Sequence, residues 1–179
     1  MNETPEKPRK RPKRPRTTRP LRGSLLHLDV RGRARMVDVG GKPASARRAV
    51  ARGRVSLNAT AFAALEQGRL SKGDALAVAR LAGILAAKKT SEIVPLAHPV
   101  SLDAVSVDCV LRAPERAVVA TATASTSART GVEMEALTAV AGACLALYDM
   151  AKALDRGIVI REIVLVEKVG GRSGTYRRR

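Results

Sequence analysis

The chain has 179 residues, 33 of them Lys or Arg and 16 Asp or Glu, for a formal charge of +17. That length suits one domain with a tail, and a composition 45% hydrophobic but 2% aromatic builds a core from Ala, Val, Leu and Ile while leaving few platforms on which bases could stack. No apolar run approaches the roughly 20 residues of a bilayer span, no secretory core opens the chain, and Cys109 and Cys144 form neither a disulfide framework nor a CxxC motif; a soluble cytoplasmic protein with two buried thiols and no membrane partner is expected.

Residues 1–22 hold nine basic side chains against Glu3 and Glu6, with five prolines among them. Residues 1–23 therefore read as a disordered, basic Pro/Arg-rich tail, able to touch polyanions nonspecifically. Beyond residue 22 the charge is still +10, which suits a polyanionic ligand. Residues 24–39 read as a lead-in loop or short strand and 55–58 as a strand. A helix follows over 60–67, ended by Gly68, which tolerates positive φ. Ser71-Lys72-Gly73-Asp74 has the spacing of an N-cap with its acidic partner, and Leu81, Ile84 and Leu85 then recur at helical period as the apolar stripe of a longer helix. Pro95 and Pro99 stop that helix and stiffen the loop Leu96-Ala97-His98.

Alternation over 105–111 and again over 117–125, joined at Pro114-Glu115-Arg116, predicts a β-hairpin. Thr130 and Glu133 have capping-box spacing at the start of the longest helix, whose residues 136–148 carry no charge and so are buried on most sides. A last strand runs over 158–168, Gly170-Gly171-Arg172-Ser173-Gly174 closes the domain, and 175–179 form a basic tail. Helices and hairpins in this order give an α+β fold.

The chemistry is written in the lysines. Beyond residue 22 there are 18 arginines and only six lysines, at 42, 72, 88, 89, 152 and 168. Arginine keeps its proton near neutral pH, whereas lysine gives it up once burial or a neighbouring cation lowers its pKa. Lys88 extends the stripe of Leu81, Ile84 and Leu85, which would set its stem against the core; alternatively, Lys88 and Lys89 only complement the carbonyl end of their helix. Asp149 and Lys152 are three residues apart, either an ordinary ion pair or a partly buried acid/base pair. His98 is held on a stiff backbone as a proton donor or phosphate contact, or is structural. Glu135 lacks the capping role that Glu133 has. The glycine loop with Arg172 is either a flexible terminus or a phosphate cradle of amides and a guanidinium. GxGxxG, HExxH and GxSxG are absent, and no cofactor or metal is expected.

Several stretches together carry a resemblance: Met36-Val37-Asp38-Val39, Lys72-Gly73-Asp74, Ala86-Ala87-Lys88, Pro95-Leu96-Ala97-His98-Pro99, Thr130-Gly131-Val132-Glu133-Met134-Glu135-Ala136-Leu137-Thr138, Tyr148-Asp149-Met150-Ala151-Lys152-Ala153 and the loop 170–174. From residue 26 to 174 the chain resembles the cyclic pyranopterin monophosphate synthases of molybdenum-cofactor biosynthesis, which makes 24–174 the synthase domain. The resemblance implies a ferredoxin-like subunit with helices packed on an antiparallel sheet. It further implies a homohexamer built as a trimer of dimers, with active sites at dimer interfaces. The implied reaction rearranges 3′,8-cyclo-7,8-dihydroguanosine triphosphate, supplied by an upstream radical SAM GTP cyclase, into a pyranopterin with a cyclic phosphate, and pyrophosphate leaves.

Carried onto this sequence, the resemblance puts acid/base chemistry on Asp149 and Lys152, with Lys72 and Lys168 as further catalytic lysines. It puts substrate contacts at Leu96, Ala97, His98, Met134, Glu135, Lys88, Lys89 and Arg172. Two positions depart from the family pattern. Ala97 stands where a cysteine is usual, so no thiol chemistry is needed there, and Arg172 stands where a lysine is usual, so that position needs charge more than proton transfer. The rival class is a basic nucleic-acid-binding protein, supported by the charge and opposed by the scarcity of aromatics.

Overall fold

The computed structural model describes Asp29 and residues 31–179. Two compact units divide the chain after Ala34. Within the described part of the first, the Asp29 carboxylate accepts from the backbone N–H of Arg31 at 2.8 Å and of Arg33 at 2.9 Å and pairs with Arg33 Nε at 2.8 Å. The expected tail, residues 1–23, lies outside the described residues.

In the second unit, residues 35–44 carry no regular element. β1 then runs over Ser45–Ser56, α1 over Ala59–Glu66, α2 over Ala75–Lys88, the single turn α3 over Thr90–Ile93, β2 over Ala104–Arg112, β3 over Ala117–Ala128, α4 over Glu133–Ala151, β4 over Val159–Val169 and β5 over Tyr176–Arg177. The strands form one antiparallel sheet in the order β2-β3-β1-β4-β5. With α1 to α3 as one helical connection, β1 to β4 follow the βαββαβ pattern. The hairpin of β2 and β3 is present as expected. A 3-10 turn at Ala113–Glu115 joins its strands, with Arg116 at φ 45°.

Four expectations need correcting. The strand expected over 55–58 is only the end of twelve-residue β1. Four arginines and Gly53 mask the pattern, because the residues turned inward, Ala49, Ala51, Gly53 and Val55, are mostly small. Asn58, expected in that strand, instead caps α1 by accepting from Ala61 N–H at 2.8 Å. At α2 the cap is Asp74, whose Oδ1 accepts from the N–H groups of Leu76 and Ala77 at 3.0 Å, so Ser71 has no capping role. At α4 the cap position is Val132, without a side-chain hydrogen bond, and the expected box of Thr130 and Glu133 does not form. Residues 175–179, expected as a tail, contribute β5, which pairs Tyr176 with Lys168 and Arg177 with Glu167.

The apolar stripe of α2 also faces the other way from its expected direction. Leu81 is 69% exposed and Leu85 55%, while Ala75, Ala79, Gly83 and Ala87 are buried. Periodicity marks both stripes; the neighbouring helix decides between them. α4 offers small residues, so α2 comes close enough that a Cβ on Gly83 would stand 2.8 Å from the Ala139 carbonyl oxygen and 3.0 Å from a Val107 methyl. Gly83→Ala gains about 1 kcal/mol of helix propensity but forces backbone apart at an overpacking cost of about 1–3 kcal/mol. A net destabilisation on the order of 1 kcal/mol is expected in urea unfolding.

α4 lies under the sheet, with Ala136, Ala139, Val140, Ala143, Cys144 and Leu147 fully buried. By length and composition it is apolar enough to cross a membrane, contrary to the expectation that no run comes near, and its place against the core accounts for that composition. Both cysteines are buried, and burial pushes the Cys109 thiol up to about 11 and that of Cys144 to about 12.

Candidate active site

The turn before α2 and the carboxyl end of α4 meet at three of the expected residues. Lys72 Nζ donates to Asp149 Oδ2 at 2.5 Å and to the Asp149 carbonyl oxygen at 2.9 Å, while Lys152 Nζ lies 2.7 Å from Asp149 Oδ1. One carboxylate is thus shared by two ammonium groups, at a helix end whose free carbonyls also favour cations. Of the two readings the sequence left open, the ordinary ion pair is the one found and not the partly buried one: Asp149 is 54% exposed and Lys152 53%. Nor is the Lys152 pKa lowered. The hydrogen bond and charge of Asp149 raise it, so Lys152 stands here as a protonated donor.

Hydrogen bonds from Lys152 and Lys72 hold the Asp149 carboxyl down to about 2, from an ordinary 3.8. Because the folded value is the lower one, this linkage favours the folded chain above the ordinary value and is lost as pH falls through about 2. An NMR titration of the Asp149 carboxyl carbon should show its midpoint near 2. In Lys152→Met the midpoint should rise toward 3.8; an unchanged midpoint would show that the pair does not form in solution.

The other expected residues lie toward the opposite end of α4. Glu135, in its first turn, is 4% exposed and has no ion pair among the described residues. Burial raises its pKa, with its own backbone N–H opposing and Glu133 adding to the rise. Met134 beside it is 39% exposed. Lys168 pairs across the sheet with Ala49, near the strand ends from which α4 departs, and its Nζ bonds Ser173 Oγ of the glycine loop. Arg172 in that loop is exposed. Half-buried Leu96, Ala97 and His98 lie in the loop leading to β2, which is fastened to the same strand ends by Thr126 Oγ1 donating to the Ser101 carbonyl at 2.6 Å. Lys88 is exposed, not set against the core, because its stripe faces outward, and Lys89 pairs with Glu92 at 3.2 Å.

The expected residues therefore form two groups. Glu135 and Asp149 are fourteen positions apart on α4, about 21 Å along a straight helix. Among the described residues no cluster of His, Cys, Asp and Glu could hold a metal ion.

Comparison with known proteins supplies the family. Residues 36–171 match the MoaC family, and the cyclic pyranopterin monophosphate synthase of Thermomicrobium roseum is 57% identical over 154 residues, covering 86% of this chain and 93% of its own. The chain belongs to the MoaC family. The synthase of Novosphingobium aromaticivorans is 56% identical over 153 residues, 86% of this chain and 96% of its own. Cyclic pyranopterin monophosphate synthase 1 of Mycobacterium tuberculosis (strain ATCC 25618 / H37Rv) is 53% identical over 155 residues, 87% and 91%. The match to the MoaC family spans both groups of residues except Arg172, which lies one position beyond it. It also takes in Arg47, a residue the sequence reading passed over: among 18 arginines beyond residue 22 nothing in composition sets it apart, and only its register opposite buried Thr126 on the covered face of β1 does.

Proposed function

We infer that the chain is an enzyme, a cyclic pyranopterin monophosphate synthase acting early in molybdenum-cofactor biosynthesis. It converts 3′,8-cyclo-7,8-dihydroguanosine triphosphate to cyclic pyranopterin monophosphate and releases pyrophosphate. The observation that carries the reading is an identity of 57% over nearly the whole length of a synthase. The Lys72-Asp149-Lys152 group gives it a chemical basis. Rebuilding the base needs proton donors and acceptors, and closing the cyclic phosphate needs cations. In that closure a substrate hydroxyl oxygen bonds to the α-phosphorus and gives its proton to a base. The bond from α-phosphorus to the bridging oxygen breaks, and its electron pair leaves with pyrophosphate. Lys152, protonated by its partnership with Asp149, is the donor of the group, and Lys72 and Lys168 supply charge and proton transfer. Leu96, Ala97, His98, Met134, Glu135, Lys88, Lys89 and Arg172 contact the substrate. Incubating the purified chain with the cyclised nucleotide should yield pyrophosphate and an oxidisable pterin; appearance of neither overturns the reading.

The subunit is ferredoxin-like and works as a hexamer, a trimer of dimers, in the cytoplasm, with its substrate delivered by a radical SAM GTP cyclase. Two observations support assembly. Val78, Leu81, Leu85 and Leu145 leave a large apolar surface on α2 and α4 without cover, and the two groups of site residues are too far apart in one subunit to meet one ligand. At a two-fold axis the amino end of one α4 meets the carboxyl end of the other, and each site is completed by both chains. The basic amino-terminal tail contacts polyanions nonspecifically outside the site. Deleting residues 1–22 should leave kcat/KM within tenfold of the full chain while weakening binding to duplex DNA at low salt; a larger loss would place the tail in the site.

A further inference from the structure

Where β1 ends and α4 runs out, one side chain serves two helices. Asn58 is held in place from the sheet, since its neighbour Leu57 is buried and donates its N–H to the Arg116 carbonyl at 2.9 Å. From there Asn58 Oδ1 caps α1, and its Nδ2 reaches across 96 positions of sequence to donate to the Leu154 carbonyl at 3.1 Å, just past the end of α4. The return contact comes from Asp155, which is 7% exposed and pairs with no cation among the described residues. Both of its carboxyl oxygens accept backbone N–H groups instead, Oδ2 that of Asn58 at 2.6 Å and Oδ1 that of Gly157 at 2.8 Å. A buried acid bonded only to backbone fixes the path of the chain rather than balancing a charge.

This clamp closes a circuit that includes the Lys72-Asp149-Lys152 group. On one side, the N–H groups of Gly68 and Arg69 donate to the carbonyls of Leu65 and Ala64 in α1 at 3.1 and 2.8 Å. Gly73 N–H donates to the carbonyl of buried Leu70 at 3.0 Å, so the turn that presents Lys72 is built directly onto α1. On the other side, the N–H groups of Leu154 and Asp155 both donate to the Ala151 carbonyl, at 2.9 and 3.2 Å, and carry the last turn of α4 onward to the clamp. Lys72 and Asp149 join the two sides at one point, and Asn58 and Asp155 join them at another. Asp149 stands in that last turn and Lys152 is its cap. Helix ends fray, and a second fastening beyond the end holds both residues in place.

We propose that Asn58 and Asp155 are positioning residues of the synthase, locking the carboxyl end of α4 to the start of α1 and so setting how Lys72 and Lys152 meet Asp149. The proposal rests on the synthase reading for its effect on turnover, but not for its effect on the geometry of the group. Neither residue is among the substrate contacts, so their loss should appear in kcat and not in KM. A displacement of about 1 Å at reacting groups costs up to about 10²-fold in rate.

Asn58→Ser separates the two duties of the side chain. Serine caps a helix about as well as asparagine, so α1 is kept while the amide arm to Leu154 is lost, and the exposed position lets the chain fold. Its kcat should fall about tenfold with KM within about twofold of the wild type. The NMR midpoint of the Asp149 carboxyl should rise from about 2 toward 3.8. Asp155→Asn, which sets an amide N–H against a backbone N–H, should act in the same direction; if it does not fold by circular dichroism, Asn58→Ser decides. Val140→Ala is the control for stability alone, since it opens a cavity in the middle of α4 and leaves both ends untouched. It should unfold at lower urea yet keep kcat and the Asp149 midpoint. An unmoved midpoint in Asn58→Ser, or a kcat loss there no greater than in Val140→Ala, overturns the clamp. A wild-type chain that makes no pterin sinks the synthase reading instead, and the midpoint in Asn58→Ser still decides whether the clamp sets the group.

Discussion

Replacing Lys72 or Lys152 by Arg should lower kcat by about 10²-fold or more while nucleotide binding survives. Both lysines reach one carboxylate, Lys72 at Oδ2 and Lys152 at Oδ1 of Asp149, so an arginine at either place can keep the ion pair and the positive charge. What arginine cannot do is release a proton near neutral pH. The substitution therefore separates charge from proton transfer, which alanine or methionine would remove together. Steady-state kinetics with the cyclised nucleotide, alongside equilibrium binding of a guanine nucleotide, distinguish the two. A fall in kcat with affinity retained assigns proton transfer. Near-wild-type turnover in both Arg variants would reduce the lysines to electrostatic partners.

Mixing two inactive proteins, Glu135→Gln and Asp149→Asn, should restore activity. Glu135 and Asp149 stand near opposite ends of α4, about 21 Å apart, and a rigid helix cannot bring both to one nucleotide. If each site takes Glu135 from one chain and Asp149 from its partner, a hybrid dimer has one intact site and one doubly damaged site. Random mixing makes half of the dimers hybrids, so about a quarter of all sites should recover. Subunit exchange confirmed by mass spectrometry, with activity still at the background of either mutant alone, would show that these two residues do not share a site across the axis.

Much of the architecture is legible in the sequence because alternation and helical period report burial directly. The β2/β3 hairpin, α1, α2, α4 and β4 stand close to their expected places. β1 is hard to read because its inward positions are Ala, Ala, Gly and Val, and its outward ones include Arg48, Arg52 and Arg54; the strand is held by its neighbours on both sides and has little preference of its own. The face of α2 is misread for a related reason. Leu81, Ile84 and Leu85 are the strongest apolar signal, yet a helix pair that meets through Ala and Gly leaves Leu81 and Leu85 exposed and only Ile84 partly packed against the core. Caps fail similarly: Ser71 and Thr130 have suitable spacing, but local competition decides, and Asp74 wins at α2.

At the candidate site the sequence offers residue types but not their placement. The choice of lysine over arginine picked out Lys72 and Lys152, which meet at Asp149, but it picked out Lys88 and Lys89 equally, which lie exposed at the far end of α2. Distance along a chain says little about which cations converge. Arg47 and Lys42 illustrate the converse, since only the close approach of the Gly170-Gly171 turn brings them together.

Scarcity of aromatics has an optical consequence. The chain has no tryptophan and two tyrosines. Tyr148 directly precedes Asp149 on α4, and Tyr176 is paired with Lys168 in the sheet. Each of the two groups of site residues thus carries one native phenol and, with no indole to drain its excitation, tyrosine emission reports on the site with little background. In a Tyr176→Phe chain the signal belongs to Tyr148 alone, and quenching by a bound nucleotide can be read at the carboxyl end of α4 without any attached dye. Were the sites to lie between subunits as proposed, each would already carry a label from both of its halves.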